Sequence, residues 1–256
     1  MANSTPSDSG IQRTLVIAVA IVASSALFAG AARYYVHSRY DTRTIRVTGS
    51  ATRRVHSDRA MWRGVISANA ESLDAAYREL ERSTSAVRGF LAAQGATPDE
   101  IRIMAVQSRE VTTVFYQRDE HGQVLSEESR IVGYDLTRSV VITSNDMGRV
   151  ERIAQGVTDL LQQGVVVHSE PVEYLFTRLA NLKLELIRAA TQDARRRAEN
   201  VARASGASLG SIEIGDVGVV QVNAANESQT SWDGVYDRTS PDKDAMVTVR
   251  TSFRLE

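Results

Sequence analysis

The stretch IVGYDLTRSVVITSNDMGRVERIAQGVTDLLQQG, residues 131–164, carries the two periodicities that decide the fold. In its first half, apolar and polar residues alternate as on a strand with one buried face: Val132, Tyr134, Leu136, Val140 and Ile142. Asn145 or Asp146 then predicts a helix N-cap, and the apolar spacing changes to three and four residues until Gly164. A half-buried strand followed directly by an amphipathic helix indicates a domain that mixes the two.

Similar signals continue on both sides of this stretch. Two strand-like runs, TIRVTGS and RAMWRGVISAN, precede a helix that begins at Ser72 and ends near Gly95. A hairpin turns at DEHGQ, a long helix covers about Phe176 to Ser205, and two strands, SIEIGDVGVVQV and AMVTVRTSFRL, close the chain. The predicted order is ββαββαβαββ. The fold class is therefore α+β, a mostly antiparallel sheet packed with about three helices.

The N-terminal region predicts a membrane segment. Residues 14–32 carry no charge, and as a helix these nineteen residues would span ~28 Å, close to the hydrocarbon thickness. We expect a polar tail at 1–13, a transmembrane anchor at 14–32, a juxtamembrane linker at 33–42 and a folded domain at 43–256. The alternative is a signal peptide, because Ala29-Gly30-Ala31 fits the small-residue cleavage pattern.

A long polar stretch, residues 223–244, lies between the two closing strands. It holds two isolated aromatic residues, Trp232 and Tyr236. Loops of this length in compact domains are usually flexible or used for contact. We therefore predict a flexible loop in which Trp232 and Tyr236 are partner contacts.

Charge composition argues against a nucleic-acid partner. The chain has 30 basic and 31 acidic residues, so its formal net charge is only −1. The run Arg195-Arg196-Arg197 spans ~300° of a helix and cannot present one cationic face. Asp193 lies four residues before Arg197, and Glu199 four before Arg203, which predicts pairing along a solvated helix flank.

No motif predicts a catalytic, cofactor or metal site. The chain has no cysteine, which excludes thiol catalysis and cysteine-ligated metals, and it contains no HExxH, P-loop, GxGxxG or GxSxG pattern. His56 with Asp58 could support a metal, but a polar turn explains both residues. We expect no enzyme activity and no cofactor; an enzyme with an unrecognised carboxylate or histidine site is the rival hypothesis.

The motifs of the domain resemble those of the SIMPL-domain family of bacterial envelope proteins, in its membrane-anchored group. The resemblance covers Arg43 to Glu256 and is carried by these runs: Val47-Thr48-Gly49-Ser50-Ala51, Val55, Asp58-Arg59-Ala60, Gly133-Tyr134-Asp135-Leu136, Tyr174 to Leu179, Asn181-Leu182-Lys183, Ala190, Asp193-Ala194-Arg195, Ala198-Glu199, Gly206 and Leu209-Gly210.

The resemblance implies a periplasmic domain tethered to the inner membrane of a Gram-negative cell. It overrides the arginines at 33, 39, 43 and 46, whose simple count would place the domain in the cytoplasm. Family members are linked to oxidative-stress tolerance, and at least one assembles into a large hollow oligomer. We therefore expect a non-enzymatic homo-oligomer, with a monomeric accessory protein for an envelope partner or small ligand as the alternative.

Overall fold

The N-terminal apolar run forms a single long helix. The computed structural model describes residues 8–40 and 43–256, and its first element is helix α1, Asp8–Tyr40. Within α1, Leu15–Tyr35 is long and apolar enough to cross a membrane. Ser24 and Ser25 donate their hydroxyls to the Ile21 carbonyl at 3.0 and 2.8 Å, so both polar groups are satisfied inside the helix. The helix continues through the region predicted as a linker as far as Tyr40.

The domain that follows has the predicted α+β class. Its strands are β1 (Thr44–His56), β2 (Arg59–Ala70), β3 (Ile101–Ile103), β4 (Gln107–Arg118), β5 (Val124–Ser144), β6 (Val166–Ser169), β7 (Glu173–Leu175), β8 (Leu209–Val217), β9 (Gln221–Ala224) and β10 (Asp242–Leu255). Its α-helices are α2 (Leu73–Ala93), α3 (Met147–Gly156) and α4 (Leu179–Ala204). Short 3₁₀ segments lie at Pro98–Glu100 and Val157–Gln163.

The central sheet is antiparallel in the order β3-β5-β2-β6, with β4 pairing along β5 and β7 along β2. Leu136, Val140 and Ile142 of β5 lie in the core as predicted, whereas Val132, predicted on the same buried face, is exposed because β2 does not extend beside it. Trp62 of β2 is completely buried, and its Nε1 donates to Ser169 Oγ at 2.8 Å. Ser169, the last residue of β6, in turn donates to the Ala154 carbonyl at 3.0 Å, and this hydrogen bond joins β6 to α3.

Both shorter helices are capped as their sequences predict. Ser72 caps α2 by accepting from the Ala75 amide, and Asp146 caps α3 by accepting from the Arg149 amide at 3.0 Å. Gly95 and Gly164 have φ of +81° and +76°, which L-residues with a side chain rarely adopt. The helical spacing of apolar residues also predicts Tyr77 and Leu161 to face inward, but both are exposed.

The closing strands form a second sheet in the order β1-β10-β8, with β9 also paired to β10. β10 pairs with β9 over Lys243–Met246 and with β8 from Val249 to Leu255. Residues 211–222 were expected to be one strand, but they divide into β8 and β9 on either side of Gly218. A Cβ at Gly218 would lie 2.9 Å from Thr248 Oγ1, so this close approach requires glycine.

Helix α4 explains the arginine run. Arg195 donates to Glu199 at 2.8 Å and Arg197 to Asp193 at 2.7 Å, while all three arginines are largely exposed. The predicted pairing of Asp193 with Arg197 is confirmed; Glu199 pairs with Arg195 and not with Arg203. The small residues Ala190, Ala194, Ala198 and Ala202 are buried within one chain. Val201 continues the same apolar spacing, which predicts an inward position, but it is exposed.

The chain divides into two compact units. One contains the described residues up to Gly49, together with Thr191–Val217 and Val249–Glu256. The other contains Ser50–Ala190 and Gly218–Thr248, and it holds the central sheet with its core. All the sites described below lie within this second unit.

Candidate partner-contact surfaces

The loop between β9 and β10 is held by a buried lysine. Lys243 is 0% exposed, and its ammonium donates to the Asp237 carbonyl at 2.6 Å, Asp237 Oδ2 at 3.0 Å and the Ser240 carbonyl at 2.8 Å. Burial opposes ionisation of Asp237, but hydrogen bonds from Thr239, Lys243 and Ser240 outweigh it and hold its pKa well below the usual range. The lysine and the carboxylate therefore form a neutral, fully hydrogen-bonded clamp.

A second anchor lies at the other end of the loop. The side chain of Gln221 is buried, and its amide nitrogen donates to the Ser231 carbonyl at 2.7 Å. Its Oε1 accepts from the Val235 amide at 2.8 Å. Asn223 donates to the Gln229 carbonyl at 3.0 Å. The loop that was predicted to be flexible is thus fastened to the sheet through side chains of β9 and β10.

The structure separates the two aromatic residues predicted as contacts. Tyr236 is half-buried, and its hydroxyl accepts from the Phe176 amide at 2.9 Å and donates to the Phe176 carbonyl at 3.2 Å. Lys243 Nζ also lies 6.0 Å from the Tyr236 ring centroid. Trp232 is 90% exposed at the loop surface. Tyr236 therefore serves the fold, and Trp232 is the residue of the pair that a partner can reach.

A cleft of about 330 Å³ brings together many residues that carry the family resemblance. Its lining combines cationic and apolar side chains: Arg53, Arg54, Val55, His56, Phe176, Arg178, Asn181, Leu182 and Glu185. Each arginine has a carboxylate partner, since Arg53 pairs with Glu185, Arg54 with Asp244 at 2.8 Å and Arg178 with Asp58 at 3.2 Å. The cleft is therefore close to neutral and does not concentrate positive charge for an anion.

Asp58 fixes one wall of the cleft. Its carboxylate accepts from the Thr177 amide at 2.8 Å, the Thr177 hydroxyl at 3.0 Å and Arg178 Nε at 3.2 Å. Burial opposes the charge, but these donors outweigh it and lower the pKa of Asp58. For Asp244, the partner of Arg54, hydrogen bonds from the Arg54 side chain and the Asn226 amide lower the pKa to about 2. Both carboxylates are held ionised as positioning groups.

The histidines whose side chains the structure describes lie on separate elements. His56 Nδ1 lies 2.7 Å from Asp242 Oδ1, so His56 does not join Asp58 as the metal reading would require. His121 is exposed in the turn after β4, and His168 is exposed on β6. His37 lies in α1 outside the residues whose side chains are described. In the described part of the chain, no three His, Asp or Glu side chains form a group that could hold a metal.

A projecting hairpin is the surface that sequence reasoning missed. β2 pairs with β5 only as far as Tyr134, so residues 111–133 of β4 and β5, here called the β-arm, pair only with each other. Both faces of the β-arm are exposed, including seven large apolar side chains: Val114, Phe115, Tyr116, Val124, Leu125, Ile131 and Val132. Consecutive apolar residues on both strands were the available signal.

A two-stranded ribbon with this much exposed apolar surface is only marginally stable by itself. Local side-chain contacts support it in part, since Arg130 lies 5.5 Å from the Phe115 ring centroid and pairs with Glu128. Because soluble proteins seldom display a large contiguous apolar patch, the β-arm has the character of an interaction surface.

The comparison with protein families agrees with the motifs and the fold. A family model described as SIMPL, a protein of unknown function (DUF541), matches residues 45–253. The chain belongs to the SIMPL family. The match starts within β1 and ends within β10, so it covers the folded domain and excludes the apolar part of α1. No curated protein sequence matches the chain at a significant level.

Proposed function

We propose that this SIMPL protein is a non-enzymatic, membrane-anchored envelope protein whose periplasmic domain self-associates. The observation that carries the proposal is the β-arm, which exposes apolar side chains on both faces. Covering that surface with protein would contribute ~25 cal/mol of stabilising free energy for each Å² of apolar area buried. A single chain leaves this apolar surface exposed to water, so binding a partner would stabilise it.

The anchor supports the same proposal. Leu15–Tyr35 spans ~32 Å as a helix, which matches the hydrocarbon core of an inner membrane. Tethering several copies in one membrane raises their effective concentration, so that a modest contact between domains suffices for assembly. The family resemblance supports the periplasmic side and a link to envelope or oxidative-stress tolerance.

The non-enzymatic part of the proposal draws on the cleft. A carboxylic acid serves as a general acid near neutral pH only where its pKa is raised towards the working pH. Here the pKa values of Asp58 and Asp244 are lowered by their donors, and the arginines are paired. These groups are suited to holding the wall of the cleft in one geometry.

The test is the size of the full-length protein in detergent, measured by light scattering at micromolar concentration. Self-association predicts that the molar mass of the protein, after the mass of bound detergent is subtracted, corresponds to several chains. A strictly monomeric particle would remove the proposal. Protease added to intact spheroplasts tests the side of the membrane, because a periplasmic domain is digested while cytoplasmic proteins are protected.

One observation favours the second candidate, a monomeric accessory protein that binds an envelope partner. Trp232 is 90% exposed on a loop that is fastened at both ends, and tryptophan is enriched at binding hot spots. Trp232→Ala should then abolish co-purification of the partner without altering the fold. Deleting the whole loop is a poorer test, because it would remove Asp237 and leave Lys243 buried without its carboxylate.

A further inference from the structure

The outer edge of β4 has no strand beside it in the part of the chain that the structure describes. β4 pairs with β5 along its whole length, from Gln107 opposite Thr137 to Arg118 opposite Val124. Its other edge leaves a row of backbone amides and carbonyls open to a further strand. The centre of this edge, residues 111–116 (VTTVFY), is uncharged and consists entirely of β-branched and aromatic residues.

Charged residues flank this uncharged centre in a self-complementary order. If two copies of β4 run antiparallel with Val114 opposite Val114, Glu110 of each copy faces Arg118 of the other. Arg109, which pairs with Asp135 within its own copy, is then opposite Asp119, the first residue after β4. Each opposition occurs twice, because a two-fold axis through Val114 repeats it. All four oppositions join unlike charges, which favours this pairing.

Neighbouring registers lack this complementarity. Successive residues of a strand direct their backbone groups to alternate edges, so the neighbouring registers that use the same edge of β4 lie two residues away. With Thr113 opposite Thr113, Glu110 faces Tyr116 and has no cation opposite it. With Phe115 opposite Phe115, Glu110 faces Glu120, and like charges directly opposite one another destabilise a strand pair. The sequence of β4 therefore specifies a single self-pairing register among its neighbours.

We infer that the partner of the β-arm is a second copy of this chain, joined edge to edge along β4 with Val114 at the two-fold axis. This inference rests on the proposed self-association and names its surface. The product is a four-stranded sheet, β5-β4-β4-β5, in which Val114, Tyr116 and Thr112 of both copies share one face. Two marginal hairpins become one sheet with twice as many strands.

Charge reversal tests the pairing, and circular dichroism checks that each variant stays folded, because Arg118 also donates to the Gly122 carbonyl at 3.0 Å in the turn of the arm. Full-length Glu110→Arg opposes arginine to arginine in both pairs, and Arg118→Glu opposes glutamate to glutamate. Each variant alone should self-associate about tenfold or more weakly, as expected when two cross-strand pairs are lost. An equimolar mixture of the two variants restores unlike charges at every position, so mixed dimers should form as tightly as the unaltered protein.

The matched controls change the same charge at other exposed positions. Glu127→Arg lies on β5, away from the outer edge of β4, and Arg196→Glu lies on α4. Both should associate like the unaltered protein. Fluorescence energy transfer between two labelled preparations in detergent distinguishes mixed from like pairs. If both reversals associate normally, or if their mixture stays as weak as either variant alone, the inference is overturned.

The absence of native cysteine provides a second test of the register. Val114→Cys should form a disulfide-linked dimer under mild oxidation, because residues directly opposite in an antiparallel pair have Cα atoms ~4.5–5.5 Å apart. Ser129 lies on β5 and pairs with Val114 within the same chain, so Ser129→Cys should not cross-link two copies. Cross-linking at Ser129 alone would place the contact on the wrong edge.

The outcomes separate the inference from the proposed function. A protein that is monomeric in every form contradicts both. A stable oligomer that ignores the charge reversals and does not cross-link through Val114→Cys contradicts only the β4 contact. Weakening by each reversal, rescue by their mixture and selective cross-linking at residue 114 would support both.

Discussion

Replacing Lys243 by methionine should destabilise the protein strongly, because the structure buries this lysine completely. Lys183 is the other lysine of the chain. The substitution removes three hydrogen bonds and leaves the Asp237 carboxylate without its cation. Removing one partner of a buried ion pair typically costs ~3–5 kcal/mol. Asp237 keeps donors from Thr239 and Ser240, so we expect the lower end of that range, about 3 kcal/mol.

The assay is urea unfolding of the full-length protein in detergent, followed by the fluorescence of buried Trp62 in a Trp232→Phe background. Lys183→Met is the matched control, since Lys183 is exposed on α4 and its loss should change the free energy of unfolding by less than ~0.5 kcal/mol. Adding Asp237→Asn to Lys243→Met should recover part of the loss, because the unpaired charge disappears. Equal unfolding midpoints for Lys243→Met and Lys183→Met would refute the buried clamp.

The effect of Lys243→Met should depend on pH in a defined direction. The folded pKa of Asp237 lies below its unfolded value of 3.8, so its ion pair contributes stability above about pH 4 and loses it as the pH falls. The gap between the variant and the unaltered protein should therefore be widest near neutrality and should shrink on acidification. A gap that widens below pH 4 would contradict the assigned sign.

Three further results are expected. Gly64→Ala should destabilise the core by ~1–3 kcal/mol, because a Cβ there would lie 2.8 Å from Trp62 Cζ2. Gly89→Ala, in the open interior of α2, should instead stabilise by ~0.5–1 kcal/mol, and a Gly64→Ala variant that melts no lower than the unaltered protein would show that the packing around Trp62 is misassigned. Ser169→Ala should cost ~1–3 kcal/mol by leaving the Trp62 indole donor without its acceptor, which a shift of the urea midpoint would measure. Asp244→Asn should reduce the loss of stability between about pH 4 and pH 2, since the folded pKa of Asp244 is about 2 and its unfolded value 3.8; an unchanged acid transition would contradict the Arg54 pairing.

The features predicted best are those in which one face of an element is buried. Leu136, Val140 and Ile142 follow the pleat of β5, and Gly95 and Gly164 take the positive φ that their positions after a helix require. These signals are local, because periodicity and capping involve residues a few positions apart. The α+β class followed from them.

The features that were missed depend on distant contacts. The burial of Lys243 needs Asp237 and Ser240 to fold back over β10, and no short-range pattern indicates that a lysine will be enclosed. The β-arm lacks a buried face, so adjacent Val114, Phe115 and Tyr116 gave no alternation to interpret. Trp232 and Tyr236 looked equivalent in sequence, and only the hydrogen bonds of Tyr236 to Phe176 distinguish them.

The most direct measurement is an electron-microscopic image of the purified full-length particle in a lipid nanodisc. A membrane-anchored, self-associating SIMPL protein predicts several domains in symmetric contact, with all their anchors entering one bilayer. Single domains that each sit on a separate nanodisc, or particles that lack the N-terminal helix because it has been cleaved, would contradict it.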